Sequence, residues 1–216
     1  ADVYSAAVKA HGIKVTTVSA HEDGKADYSA EVSTLASAGG DAVAVIGYLD
    51  QGGKGIIQGS LDSGAFDTFI LSDGMIGDSL TDAFGKSLNK SFGSLPGSTG
   101  KGAGVFAKVA GKAGIDPSGP YTGESYDAAA LIVLAMQAGG SADRASIAKN
   151  VMAVANGPGK KIYPGQLKKA LDLLAKGKAI DYEGATGVVF TDVGEHVGNF
   201  LEKEIKGGKF KTKKQR

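Results

Sequence analysis

The sequence predicts an α/β protein built on a parallel sheet with helices packed on both faces. Two observations carry that expectation: helical and β-type apolar patterns alternate along the first 71 residues, and glycines close nearly every apolar run. A third is composition. Hydrophobic residues make up 42% of 216, enough for a sizeable core, and glycine at 34 is about twice ordinary usage without gathering into low-complexity tracts.

Taken in order, Val3–Ala10 has apolar and alanine residues at helical spacing and stops at His11-Gly12, and Ile13–Ser19 (IKVTTVS) is β-branched and predicts a strand. Asp27 can cap a helix carrying Tyr28, Val32 and Leu35, which ends at Gly39-Gly40 before a strand over Ala42–Ile46. A helix containing Ile56, Ile57 and Leu61 then stops at Gly64 and leads to a third strand, Thr68–Leu71. The stretch SLNKSFGSLPGSTGKGAG, rich in glycine and serine and almost without apolar periodicity, predicts a crossing between two domains. Beyond it helices dominate. They are expected over Val105–Ala113, over the strongly apolar Tyr121–Ala138 closed by Gly139-Gly140, and at about Asp143–Ala155 and Gly165–Ala175. TGVVFTDVGE predicts strand and turn, and GNFLEKEIKGGKFK a final strand or hairpin.

Charge and motifs narrow the function. Lys and Arg number 24 against 23 Asp and Glu, so the balance predicts neither nucleic-acid nor membrane-surface binding, and the expected partner is uncharged or zwitterionic. No cysteine is present, which removes thiol catalysis and Cys-type zinc sites. Three histidines without a close pair predict no metal site, and His21-Glu22 reads as a solvated loop. GESYD misses the last glycine of a nucleophile elbow, GKG at 100–102 lacks the hydroxyl residue of a P-loop, and GAGVFA at 102–107 follows a linker rather than a strand. No catalytic residue and no cofactor is expected. The basic end KGGKFKTKKQR reads as a solvated tail.

The strand ends say more. In parallel α/β sheets ligands bind beyond the carboxyl ends of the strands, and Gly47-Tyr48 and Ser72-Asp73-Gly74 occupy two such ends. Tyr48 offers an aromatic face and a hydroxyl, and Asp73 a carboxylate, a pairing suited to an ammonium group, while Gly47 and Gly74 leave room for a ligand. The competing reading, that Tyr48 packs on the next helix and Asp73 caps one or bonds its own turn, stands equally open from the residues alone.

Four segments, DYSAEVSTLASAGGDAVAVIGY, LSDG, DPSGPYTGESYDAAALIVLAMQAGGSAD and IDYEGATGVVFTDVGE, resemble in order the type I periplasmic solute-binding proteins of ABC transporters, in particular the branched-chain amino-acid (Leu/Ile/Val) binding family. The resemblance spans nearly the whole chain. It implies two Rossmann-like lobes with parallel sheets and a hinge, with the N-terminal lobe incomplete. Residues 1–95, completed by 193–216, would form the second-lobe α/β ligand-binding domain, and residues 96–192 the helical part of the first lobe with the hinge crossings. It also implies capture of a small aliphatic amino acid in an interlobe cleft, delivery to a membrane permease, a periplasmic location, and self-association of a chain lacking one lobe. By the same resemblance Tyr48 falls on a ligand-contacting tyrosine, and Asp73 stands where the Leu/Ile/Val proteins carry a glutamate that binds the α-ammonium; Asp shortens that reach by one methylene. Glu124, Tyr126 and Asp127 are expected to be structural. Alternatives of other classes are an amide- or amino-acid-sensing receptor of the same fold, and an α/β enzyme using Asp73 or Asp50 as general base.

Overall fold

A computed structural model describes every residue of the chain except Thr99. The chain divides into two compact units, Ala1–Leu95 with Leu201–Arg216, and Pro96–Phe200.

The first unit is built around a five-stranded sheet in which β1 (Val43–Val45), β2 (Phe69–Leu71), β3 (Phe92–Gly97), β6 (Asn199–Ile205) and β7 (Phe210–Gln215) lie side by side in that order. Strands β1 (Val43–Val45) and β2 (Phe69–Leu71) are short apolar runs, both buried in the alternating pattern of a pleated strand. They pair in parallel, with Val43 opposite Phe69 and Val45 opposite Leu71, and β2 pairs in parallel with β3 (Phe92–Gly97). Helices α1 (Asp2–Ala10), α2 (Ser29–Ala38), α3 (Lys54–Asp62) and α4 (Asp78–Phe84) punctuate the strands. Ile57, Phe69, Met75, Leu80 and Leu88 have no exposed surface, and with Val45, Leu71, Leu95 and Ile205 they form one core. Each such side chain contributes about 1.5–3 kcal/mol by leaving water. Tyr28, Val32 and Ile56 form a smaller cluster where α2 meets α3.

The second unit holds α5 (Gly100–Lys112), α6 (Thr122–Gly139), α7 (Arg144–Ala155), β4 (Lys160–Ile162), α8 (Leu167–Leu174) and β5 (Ile180–Tyr182). Strands β4 and β5 pair in parallel with Ile162 opposite Tyr182. Leu131 and Leu134 of α6, Val154 of α7, Ala170 of α8, Ile162, Ile180 and Tyr182 make its core. The last strands, β6 (Asn199–Ile205) and β7 (Phe210–Gln215), form an antiparallel hairpin with a register shift at Glu202/Lys203.

Two strand expectations are corrected, those for Ile13–Ser19 and for TGVVFTDVGE. Ile13–Ser19 forms no ladder: Thr16 Oγ1 donates to Gly39 O (2.8 Å), but no backbone hydrogen bond joins the segment to β1, and Ile13 and Val18 are more than half exposed. β-branched residues favour a strand only where a neighbour supplies hydrogen bonds. Beyond the parallel strands, the C-terminal hairpin adds the antiparallel pair β6 and β7 to the same sheet. SLNKSFGSLPGSTGKGAG, within which the two units divide between Leu95 and Pro96, also contains β3 and the first turn of α5, Gly93, Leu95 and Gly97 alternating inward despite the weak apolar pattern. TGVVFTDVGE forms the expected turn, with Gly194 N donating to Thr191 O (2.8 Å), but in place of a strand it has only an isolated bridge, Phe190 to His196.

Candidate functional site

Residues at the carboxyl ends of β1 and β2 converge, because parallel pairing sets both ends on one edge of the sheet. After Val45 the chain passes through Ile46 and Gly47 to Tyr48, which is extended (φ −120°, ψ 148°) and whose carbonyl accepts from Gly53 N (3.1 Å). The Tyr48 side chain is 64% exposed, a large aromatic left outside the core. After Leu71, Ser72 ties the two ends together: Gly47 N donates to Ser72 Oγ and Ser72 Oγ lies equally near Gly47 O, each at 3.3 Å. Ser72 N donates to Val45 O (3.1 Å). Asp73 follows in a short 3₁₀ turn, exposed, with Oδ1 accepting from Gly74 N (2.9 Å).

Gly74 is fixed by close approach. A methyl group there would lie 2.5 Å from Gly47 O and 2.8 Å from Tyr48 Cδ1, closer than carbon tolerates. Tyr48, Gly47, Asp73 and Gly74, selected from the sequence as ligand-binding residues, therefore sit together in space, and the absence of a side chain at Gly74 lets the Tyr48 ring lie over its backbone.

Two further residues belong to this corner. The expectation of a solvated His21 is corrected, since its side chain keeps 15% exposure and its ring packs edge-on to Tyr28 at 6.0 Å between centroids. A methyl group on Gly47 would meet His21 Cε1 and Nε2 at 3.4 Å. Tyr28 anchors the loop beneath, its hydroxyl donating to Glu22 O (3.1 Å) and accepting from Lys25 N (3.0 Å). Ser72 is the other. The glycines are the sequence signal that could have found His21, since Gly47 and Gly52 leave the space its ring fills.

Asp50 pairs with Lys54 one turn on in the chain (2.7 Å). GKG and GAGVFA lie within α5. Among the described residues no group of three or more His, Asp or Glu is placed to hold a metal ion, and no helix is long and apolar enough to cross a membrane.

Asp127 of α6 is the strongest polar centre of the second unit, and its geometry is that of a structural group. It is buried, and its carboxylate accepts from Tyr182 Oη (2.8 Å), Ala185 N (2.8 Å), Thr186 N (2.8 Å) and Thr186 Oγ1 (2.8 Å). Burial, then the adjacent Asp127 charge and the hydrogen bond to it, push the Tyr182 hydroxyl well above its ordinary value. Tyr126 Oη accepts from Gly165 N (2.8 Å), tying α6 to the loop after β4.

This α/β architecture is that of the type 1 periplasmic binding proteins. It is similar to a periplasmic binding protein type 1 from Bordetella pertussis (TM-score 0.68, 20% identity, 98% of this chain and 56% of that one) and to a leucine binding protein, LivK, from Thermotoga maritima (TM-score 0.63, 20% identity, 89% of this chain and 49% of that one). In sequence it is similar to BasB, the substrate-binding protein of a chemotactic signal transduction system in Halobacterium salinarum. That match is 35% identical over 98 residues, covering 45% of this chain and 24% of that protein. No family model matches. The chain spans about half the length of the solved structures and about a quarter of the curated relative.

Proposed function

We propose that the chain is the ligand-binding part of a solute-binding protein that captures a small aliphatic amino acid for an ABC transporter in the cell envelope. The observation that carries the reading is the juxtaposition of exposed Tyr48 and Asp73 on adjoining strand ends, with Gly74 leaving the ring room. An α-ammonium would bind the Asp73 carboxylate in a charge-assisted hydrogen bond and take added attraction from the tyrosine face. The ligand-bound form would be the one a permease recognises, a shift in population rather than a chemical step. The leucine-binding character of the Thermotoga maritima neighbour supports the choice of ligand class.

The test is calorimetry on the full-length product of the reading frame with leucine, isoleucine and valine. Micromolar or tighter binding that falls at least about tenfold in both Tyr48→Ala and Asp73→Ala supports the site. Unchanged affinity in both variants sinks it.

A second reading rests on the BasB match: a receptor of the same fold whose loaded form engages a sensory transducer. A gene neighbourhood with permease and ATPase genes supports transport, and a neighbouring transducer gene supports sensing. An enzyme with Asp73 or Asp50 as general base would need a second convergent group, and turnover of an amino acid or amide would establish it.

A further inference from the structure

We propose that Lys101, Lys160 and Lys169, gathered around Tyr163 in the second unit, form a binding site for a phosphoryl-bearing anion, separate from the corner that holds Tyr48 and Asp73. These side chains line a cleft of about 310 Å³ together with Lys161 and Gln166. They reach it from three elements, Lys101 from α5, Lys160 from β4 and Lys169 from α8. The floor is ordered: Lys101 Nζ stands 4.5 Å from the Tyr163 ring centroid, and Tyr163 N donates to Gln166 Oε1 (3.2 Å).

The charge balance of the cleft points to an anion. Lys161 is neutralised by Glu183 and lies 3.8 Å from Asp181, and the neighbouring Lys168 pairs with Asp172 at 2.8 Å. Among the described residues Lys101, Lys160 and Lys169 have no carboxylate within ion-pair distance. In a chain of net charge +1, three uncompensated ammonium groups facing one cleft is a local excess, and their mutual repulsion is relieved by a bound anion. A single carboxylate offsets one of them. A phosphoryl group carries more charge on several oxygens, and lysines contact it as separate point charges, so the spread of three lysines around a cleft suits it better. Lys169 and Gln166 also line an adjoining cleft of about 560 Å³ that runs to Lys176, leaving room for more than one phosphoryl group.

Such an anion could be a soluble phosphate compound or a phospholipid headgroup. The experiment titrates the 216-residue chain with tripolyphosphate at low ionic strength, by calorimetry, in the parent and two charge-matched double variants. One is Lys160→Gln with Lys169→Gln; the control, on the C-terminal hairpin, is Lys209→Gln with Lys211→Gln. Circular dichroism confirms that all three are folded. The expected result is saturable binding that weakens at least about tenfold in the cleft variant and less than about twofold in the control. Absence of saturable binding, or equal losses in the two variants, overturns the proposal. A parallel cosedimentation with phosphatidylglycerol vesicles separates the sources. Sedimentation that tripolyphosphate competes away assigns a headgroup; tripolyphosphate binding without sedimentation assigns a soluble compound. Amino-acid binding does not enter any arm, so the outcome is independent of the proposed function.

Discussion

Replacing Asp127 should dismantle the second unit from its centre. Its carboxylate accepts hydrogen bonds from the Tyr182 hydroxyl, the amides of Ala185 and Thr186 and the Thr186 hydroxyl. A hydrogen bond to a charged acceptor contributes about 1.5–3 kcal/mol, and stranding a buried donor costs about 1–3 kcal/mol. These terms are not additive, because the loop after β5 can relax and water can enter the space left behind. A loss of about 4 kcal/mol is expected for Asp127→Ala, a large part of the 5–15 kcal/mol typical of a domain. Asp127→Asn keeps one acceptor oxygen but turns an NH₂ toward donors, and should lose about 2 kcal/mol.

The assay is urea unfolding followed by far-UV circular dichroism, with native-state hydrogen exchange at Ala185 and Thr186 as the local readout. Two units need not unfold together, so the exchange data assign the loss to the second. Tyr182→Phe should cost about 1–2 kcal/mol, and its effect should shrink by about 1 kcal/mol when Asp127 is already alanine. The sign of the pH dependence follows from Tyr182 as well. Its ionisation is raised in the folded state, so its contribution is complete below the ordinary tyrosine value of 10.0 and declines as pH rises beyond it. Tyr182→Phe should therefore lose less stability than the parent above pH 10.0. An Asp127→Ala variant that unfolds at the parental urea concentration, with Ala185 and Thr186 still protected, would refute the reasoning.

At the corner that holds Tyr48 and Asp73, Gly74→Ala places a methyl group against Gly47 O and the Tyr48 ring, and overpacking of this kind costs about 1–3 kcal/mol. It should lower the melting temperature and displace the ring, seen as shifted Tyr48 resonances; unchanged values of both would show that the ring does not lie where it is placed. In the segment Lys14–Ser19, amides should exchange at least about a hundredfold faster than those of Val43 and Ser72, which donate to Thr68 O and Val45 O. Equal protection would mean that the segment pairs after all.

The strands that could be read from the sequence were those whose apolar runs end in glycine or a polar turn. Val43–Val45 and Phe69–Leu71 are three-residue cores of such runs, and their pairing follows from the helices between them. Strands β4 and β5 were hidden because three residues give no period, and Lys160 and Lys161 place two charges ahead of the single buried Ile162. In β3 the inward positions include Gly93 and Gly97, so the alternation exists in burial but not in hydropathy. Ile13–Ser19 failed in the opposite sense, its propensity being clear and its hydrogen-bond partner absent. The proposed site divides the same way. Tyr48 and Asp73 follow strands and were visible, whereas His21 and Ser72 act through contacts with Gly47 that no local pattern contains.

Two aspartates make the physical distinction between scaffold and proposed site. Asp127 is sealed among four donors, and any ligand that claimed its oxygens would have to strip hydrogen bonds worth about 1.5–3 kcal/mol each while forcing its way through buried loop backbone. Gly184, at φ 59°, lies so close above it that even a methyl group there would meet the carboxylate carbon at 2.6 Å. Asp73 is exposed, on a turn whose own Gly74 amide fixes one oxygen, beside a tyrosine that is 64% exposed. Leaving a tyrosine face in water forgoes the burial energy that an aromatic side chain can supply. The backbone nonetheless holds it in place, through Ser72 bonded to Gly47 and Gly53 N donating to the Tyr48 carbonyl. A tyrosine whose backbone is fixed by hydrogen bonds and whose ring is left uncovered suits the proposed role, contact with a ligand that arrives from solvent. In the proposed site, restraint of that kind would lower the ordering cost of binding, and Gly74 and Ser72 would support affinity even though neither offers a ligand a charged group.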